Sequence, residues 1–208
     1  FSRGIKTSND KKFMTSNPGD AKHEYYKVFR GKNIKAYSLA WGGEYIWYRP
    51  DLMRKKEGCL PHSKEFFEVP EKIVTQRVNS SMQLLAAYDS EKRYFLDTVN
   101  VSDYKSWRKD IPMKLICALL NSAVINFYYC NKYRMPTIGG YELHAIPIKF
   151  GTDEIHKKII ALVDKILDLD RDDEKKRQSL MSQIDQNVYT LYGLTKKEIE
   201  IVEKTVKD

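Results

Sequence analysis

Apolar positions fall along the 208-residue chain in two rhythms. Short β-branched and aromatic clusters, each closed by a turn signal, predict strands over 25–30, 44–49, 72–78, 83–88 and 93–98. A further strand is expected over 142–150, where Pro147 cannot donate to a ladder and marks an edge or a strand end. The polar segment 1–24, with Asn9, Asp10, Asn17, Pro18 and Gly19, reads mostly as loop. Between the last two strands, Asp110 and Pro112 supply a cap and a first turn for a helix. Its Ile116, Leu119, Leu120, Ala123 and Phe127 recur at helical spacing. Apolar on nearly all sides, 112–129 should be a buried core helix.

From Asp153 the spacing of Ile155, Ile159, Leu162, Ile166 and Leu169 marks an amphipathic helix with one seam. The seam is lost over 170–179 and resumes with Leu180, Ile184, Val188 and Leu191. Gly193 then ends the helix, and Thr195 caps a short one over 196–206. No internal repeat is present. The pattern predicts an α+β fold in which a mixed β-sheet packs on a buried helix and a C-terminal helical extension follows. Residues 1–150 form the α+β domain and 151–208 the extension.

Charge sharpens this division. The net charge is +8, yet residues 1–150 hold 25 Lys/Arg against 15 Asp/Glu, while 151–208 hold 11 against 13. Such asymmetry is expected if the first part meets a polyanion and the tail docks or supports it. Three cysteines, Cys59, Cys117 and Cys130, lack ligand spacing and sit in or beside apolar sequence, against a disulfide framework or a zinc site. The longest apolar run, 115–130, is interrupted by Asn121, Ser122 and Asn126 and is shorter than the ~18 residues of a membrane span. A soluble protein of the reducing cytoplasm is expected, with no membrane partner. The chain opens at Phe1 without a methionine or signal region, and so reads as a piece of a longer polypeptide.

The sequence offers no catalytic constellation. Gly42-Gly43 and Gly139-Gly140 lack the spacing of a nucleotide-binding loop. Asp51 with Asp103-Tyr104-Lys105 imitates a nuclease site only as any chain with 28 acidic residues can. Asp168, Asp170 and Asp172 alternate like a calcium loop, but Asp173 and Ser179 stand where glycine and a closing glutamate are needed. The four histidines are scattered. Neither catalytic nor metal-ligating residues are assigned.

What remains is a set of side chains suited to nucleic acid. Lys6 and Thr7, in Gly4-Ile5-Lys6-Thr7, and Arg30, Lys32 and Lys35, in a basic turn after a strand, suit phosphate contact. Gln76, Arg77, Asn79 and Ser80, where a strand should end, suit base edges, with Lys132 and Arg134 as a weaker addition. The bland alternatives are a polar loop for the first stretch and charged hairpin ends for the others.

Gly4-Ile5-Lys6-Thr7, Phe29-Arg30-Gly31-Lys32-Asn33-Ile34, Pro70-Glu71-Lys72-Ile73-Val74 and the run from Leu119 through Asn121, Ser122 and Asn126 to Tyr128 occur in that order. Near the end come Ile184-Asp185, Val188-Tyr189 and Leu191-Tyr192-Gly193-Leu194-Thr195. Together they resemble the TaqI-like C-terminal specificity domain of restriction-modification enzymes. The departures are Ser8-Asn9 after the first motif and Asn33 where an aspartate is common. The resemblance implies a non-catalytic module that recognises duplex DNA. It implies an upstream domain of the same polypeptide that uses S-adenosylmethionine to methylate adenine N6, with or without a type II restriction endonuclease. An assembly module that holds a methyltransferase to a partner through the 153–192 seam, touching DNA little, is the alternative; a cryptic nuclease would need clustered carboxylates.

Overall fold

A computed structural model of the chain describes residues 1–19, 23–133, 135–170 and 172–207. In chain order the elements are β1 (Ser2–Arg3), α1 (Asp10–Phe13), β2 (Met14–Thr15), β3 (Tyr25–Phe29), a 3-10 turn (Gly31–Asn33), β4 (Ile34–Lys35), β5 (Ser38–Leu39) and β6 (Tyr45–Trp47). Then follow α2 (Pro50–Met53), α3 (Lys64–Phe67), β7 (Lys72–Gln76), β8 (Ala86–Asp89), β9 (Tyr94–Phe95) and β10 (Val99–Val101). The helical part comprises α4 (Met113–Asn121), α5 (Ala123–Lys132), α6 (Gly140–His144), α7 (Asp153–Leu167), α8 (Glu174–Tyr192) and α9 (Lys196–Lys207).

One antiparallel sheet has the order β1-β10-β7-β8, and a mixed sheet has the order β2-β6-β3-β9, with β3 and β9 parallel. Their shared hydrophobic core includes Phe13, Ile46, Phe67, Tyr94 and Phe95. The other face of the antiparallel sheet meets α4; α7 packs on α4, and α8 packs on α7 and α5 in the same core. The fold is therefore α+β with a buried helix and a helical C-terminal region. Among the described residues no single helix is long and apolar enough to cross a membrane.

The core helix differs from the expected single rod. It breaks at Ser122 into α4 and α5, bent by 60°. Ser122 is extended (φ −68°, ψ 152°), its Oγ donates to the Leu119 carbonyl at 2.7 Å, and Oγ accepts from Ile125 N–H at 3.4 Å. Asp185 of α8 completes this new helix start by accepting from Ala123 N–H at 2.9 Å. The break lets one asparagine serve the outer edge of β8 and a second serve the segment that leads into it. Asn121 accepts from Ala86 N–H at 2.9 Å and donates to its carbonyl at 2.8 Å; Asn126 does the same for Leu84 at 2.7 and 3.4 Å. The Ala86 carbonyl also accepts from Tyr37 N–H at 2.8 Å, so what the asparagines spare from being left bare is the Ala86 N–H and both Leu84 groups. Pro112 lies at the cap position, outside the first turn, and Asp110 pairs with Arg108 instead of capping.

Two further corrections concern short elements. The expected strand over 142–150 is absent: α6 occupies its start, because Glu142 returns its carboxylate to Gly139 N–H at 2.8 Å and nucleates a helical turn. Segment 1–24 is irregular over most of its described residues, as expected, but it also carries the short β1, α1 and β2, and its Ile5 and Phe13 are buried. Strand β10 was not expected, although Val99 and Val101 are fully buried. In the tail, α7, α8 and α9 match the periodic pattern; Gly193 ends α8, and Glu198 accepts from Thr195 N–H at 2.7 Å.

Replacing Asn126 by alanine should lower the unfolding free energy by roughly 2–4 kcal/mol, because the N–H and C=O of Leu84 lose their partner together. Urea denaturation giving a loss under about 0.5 kcal/mol would show that the β8 edge has other support.

Asp185 supplies a pH signature. Burial pushes its carboxyl up to about 6, although the Ala123 N–H favours the charged form. With the unfolded value near 4, the folded state binds more protons between about pH 4 and 6, so this group's penalty is full above 6 and fades as pH falls. Asp185→Asn keeps the acceptor for Ala123. It should therefore stabilise the protein by about 1–2 kcal/mol at pH 8 and confer no such advantage near pH 4, as read from denaturation midpoints across pH.

Candidate nucleic-acid interface

Residues 95–99, between β9 and β10, gather the three stretches singled out in the sequence. Gly4 N–H donates to the Val99 carbonyl at 2.9 Å and Ile5 N–H to that of Phe95 at 2.8 Å. A Cβ on Gly4 would lie 2.4 Å from the Leu96 carbonyl oxygen, so this glycine permits close packing. Leu96 N–H donates to the Phe29 carbonyl at 2.9 Å, which anchors the strand leading into the basic turn. Thr98 holds the other two stretches at once: its Oγ1 accepts from Gly31 N–H at 2.9 Å, and its carbonyl accepts from Arg77 N–H at 2.9 Å. A Cβ on Gly31 would sit 2.7 Å from that same carbonyl oxygen and 3.3 Å from Gln76 Cγ.

The basic turn is built by Asn33. Its Oδ1 accepts from Arg30 N–H at 2.7 Å, and its carbonyl accepts from Ala40 N–H at 2.8 Å. A carboxylate could accept the same Arg30 bond, so Asn33 preserves this acceptor where aspartate is common in the resembled family. Arg30 itself is not a free cation. Its Nε and Nη2 engage Glu44 at 2.7 and 3.0 Å, both side chains being 29% exposed. Glu44 raises the Arg30 pKa, with Asp10 and Asp97 adding to it, and Arg30 holds Glu44 below its ordinary value. The geometry thus makes Arg30 a brace first.

The other phosphate candidates stand differently. Lys6, Lys32 and Lys35 are exposed, and the Lys6 backbone is fixed by mutual bonds with Leu60 at 3.2 and 3.0 Å. Thr7 turns its hydroxyl to Asp10, in the first turn of α1. Lys32 and Lys35 flank Asn33 on the turn and on β4.

Of the base-edge candidates, Gln76 and Arg77 are half-buried and Ser80 is exposed. Gln76 Oε1 is cut off from solvent and has no hydrogen-bond partner. Asn79 shapes its own loop: Nδ2 donates to the Gln83 carbonyl at 2.9 Å, and Oδ1 accepts from Ser81 N–H at 2.9 Å and Ser81 Oγ at 2.6 Å. Its side chain is committed to the turn, which a sequence of turn-forming residues, Asn79-Ser80-Ser81, could have disclosed. Lys132 lies at the end of α5, over the Tyr128 and Tyr133 rings at 5.1 and 5.6 Å, and donates to Tyr128 Oη at 2.6 Å. Arg134 lies outside the described residues.

The structure therefore brings the stretches 4–7, 30–35 and 76–80 to one place, with Lys132 beyond the 79–83 loop. Sequence reasoning missed Thr98 and Glu44, whose roles depend on partners distant along the chain. The nuclease-like residues do not gather: Asp51 pairs with Arg49 at 2.6 Å, and Asp103 accepts from Lys105 N–H at 3.0 Å. Among the described residues no group of three or more His, Cys, Asp or Glu is placed to hold a metal ion.

The family model of the TaqI-like C-terminal specificity domain matches residues 26–148. No curated protein sequence matches the chain. Among solved structures, the fold is similar to that of the Type IIL restriction-modification enzyme MmeI, whose structure was solved in complex with DNA. The TM-score is 0.63 at 11% identity, over 99% of this chain and 35% of that chain. The chain thus spans about a third of that enzyme's length, and the likeness is one of fold.

Arg30→Ala should cost about 1 kcal/mol of stability, while Lys32→Ala should stay within about 0.5 kcal/mol of the parent. Two negligible effects in urea unfolding would remove the bracing role of the Arg30–Glu44 pair.

Proposed function

The chain belongs to the family of TaqI-like C-terminal specificity domains, and on that basis we propose that it holds duplex DNA and reads a short site for a restriction-modification enzyme. The carrying observation is the convergence of three polar stretches, distant in sequence, on the single segment 95–99. Segments pinned by main-chain bonds at their bases, with exposed lysines above, suit the division between phosphate contacts that position and side chains that read. Lys6, Lys32 and Lys35 take the phosphate role. Gln76 and Arg77 take base edges, Ser80 and Lys132 adjoin them, and Arg30 and Asn79 support the frame.

In the same reading, an upstream domain of the polypeptide binds S-adenosylmethionine and methylates adenine N6, and this chain presents the duplex to it. Residues 1–150 carry recognition and 151–208 buttress them. An assembly role through the 153–192 seam has less surface to use, because Ile159, Val163, Ile166, Leu180, Ile184 and Val188 are already buried in the chain's own core.

If Lys6, Lys32 and Lys35 each neutralise one phosphate, the slope of log affinity against log salt for a random duplex should be roughly −3, and Lys32→Ala should reduce its magnitude by about 1. Fluorescence anisotropy across a salt series measures both. Binding that does not respond to salt, or no binding at low salt, would refute the DNA reading.

A further inference from the structure

Beyond the polar readers, one tip of the molecule is apolar. Val78, Met82 and Met135 are 49%, 39% and 41% exposed, half of the six large apolar side chains exposed among the described residues. They leave from segments joined by main-chain contacts. Val78 bridges Thr137 in antiparallel register, with Asn79 N–H donating to the Pro136 carbonyl at 2.7 Å and Ile138 N–H to that of Arg77 at 2.9 Å. Residues 77–79 and 136–138 therefore form a short two-stranded ribbon. The Asn79 amide holds the loop that follows, in which Met82 adopts a positive φ of 54°. The end of α5 supports the tip: Cys130 Sγ donates to the Met82 carbonyl at 3.3 Å and Tyr129 Oη to the Met135 carbonyl at 2.9 Å. A non-glycine residue at positive φ and three solvent-facing apolar groups are costly features for a surface with no partner.

Charge identifies the partner. Neither 72–88 nor 111–141, the two segments that carry the tip, contains an aspartate or glutamate, while Arg77 and Lys132 flank it. Acid-free segments around a small apolar patch suit a polyanion that itself displays apolar groups. Duplex DNA does so in its major groove, which admits a two-stranded ribbon and exposes the C5-methyl of thymine between acceptor edges.

We infer that this tip enters the major groove and that Val78, Met82 and Met135 recognise thymine through its C5-methyl group. The inference rests on the DNA reading proposed above. It adds a source of specificity that polar contacts cannot supply, since a methyl offers neither donor nor acceptor.

The test uses the full chain and duplexes selected by it from a random-sequence pool, resynthesised with thymine or with uracil, which lacks only the methyl. Uracil should weaken binding about fourfold for each thymine methyl that the tip would otherwise bury. Combining Val78→Ala, Met82→Ala and Met135→Ala should abolish the thymine preference and leave affinity for the uracil duplexes within about twofold. A thermal midpoint matching the parent's would show that the variant is folded. Equal affinity of the parent chain for both duplexes would overturn the inference while leaving the DNA reading intact. So would equal weakening of the variant on both, or parent self-association abolished in the variant, which would give the tip to a protein partner. No binding to any duplex would overturn both.

Discussion

The outer edge of β8 is the constraint around which the molecule is arranged. A strand buried under helices must find partners for its outward peptide groups, or lose about 1–3 kcal/mol for each one left bare. Asn121 and Asn126 supply a donor and an acceptor each, on side chains whose amides copy the peptide group they meet. Two residues only five apart can reach two alternate peptides, Leu84 just before β8 and Ala86 at its start, because the helix bends between them at Ser122. The bend exposes a second helix start, which Ser122 and Asp185 satisfy, and this ties α8 to the junction. The placement of the tail thus follows from the need to close one strand edge.

A second buried polar link fixes register. Lys72 and Asp89 are direct cross-strand partners, fully buried and 2.6 Å apart, and Asp89 also accepts from Arg93 Nη1 at 2.9 Å. Burial draws the Lys72 pKa down, and Asp89 opposes it. Taking the pair from water offsets much of its attraction, so its contribution to net stability is small. Its value lies in exclusion: slipping β7 by one residue would separate these charges inside the core and turn every side chain of the strand to the opposite face. Gln76 and Arg77 follow four and five residues after Lys72, so the ion pair at one end of β7 determines how the strand presents its other end.

Sequence periodicity disclosed the long helices because their seams answer to a local rule. Leu180, Ile184 and Val188 repeat whether or not the partner helix is known. The same reasoning made Asn121 and Asn126 look like interruptions of an apolar run, since the strand they serve is some 35 and 42 residues away. Val99-Asn100-Val101 gave too short an alternation to stand out, and Asn100 is buried there because its Nδ2 donates to Thr75 Oγ1 and the Ile138 carbonyl at 3.2 and 3.0 Å. Over 142–150, spaced apolar residues suggested a strand, but the Gly139–Glu142 capping contact decided the local conformation. For the candidate interface, composition was enough to find the basic and amide-rich stretches. Their joining through Thr98, and the neutralisation of Arg30 by Glu44, depend on tertiary distances that no window along the chain contains.

These contacts divide the interface into a frame and a set of free side chains. Asn33, Asn79 and Thr98 use their polar atoms to hold backbone, and Glu44 holds the Arg30 guanidinium. Lys32, Lys35 and Ser80 are held through their surroundings while their side chains remain exposed. With this separation, the free positions can change donor, acceptor or methyl contact without the frame reorganising. The half-buried Gln76 sits on the boundary: its Cγ lies 3.3 Å from where a Gly31 Cβ would be, and its Oε1 is unpaired. An unpaired buried acceptor beside the basic turn leaves this position open, since any group that satisfies it gains the hydrogen bond absent from the free chain. The packing of the basic turn and the placing of the Gln76 side chain are thus set together, and a Cβ at Gly31 would move both.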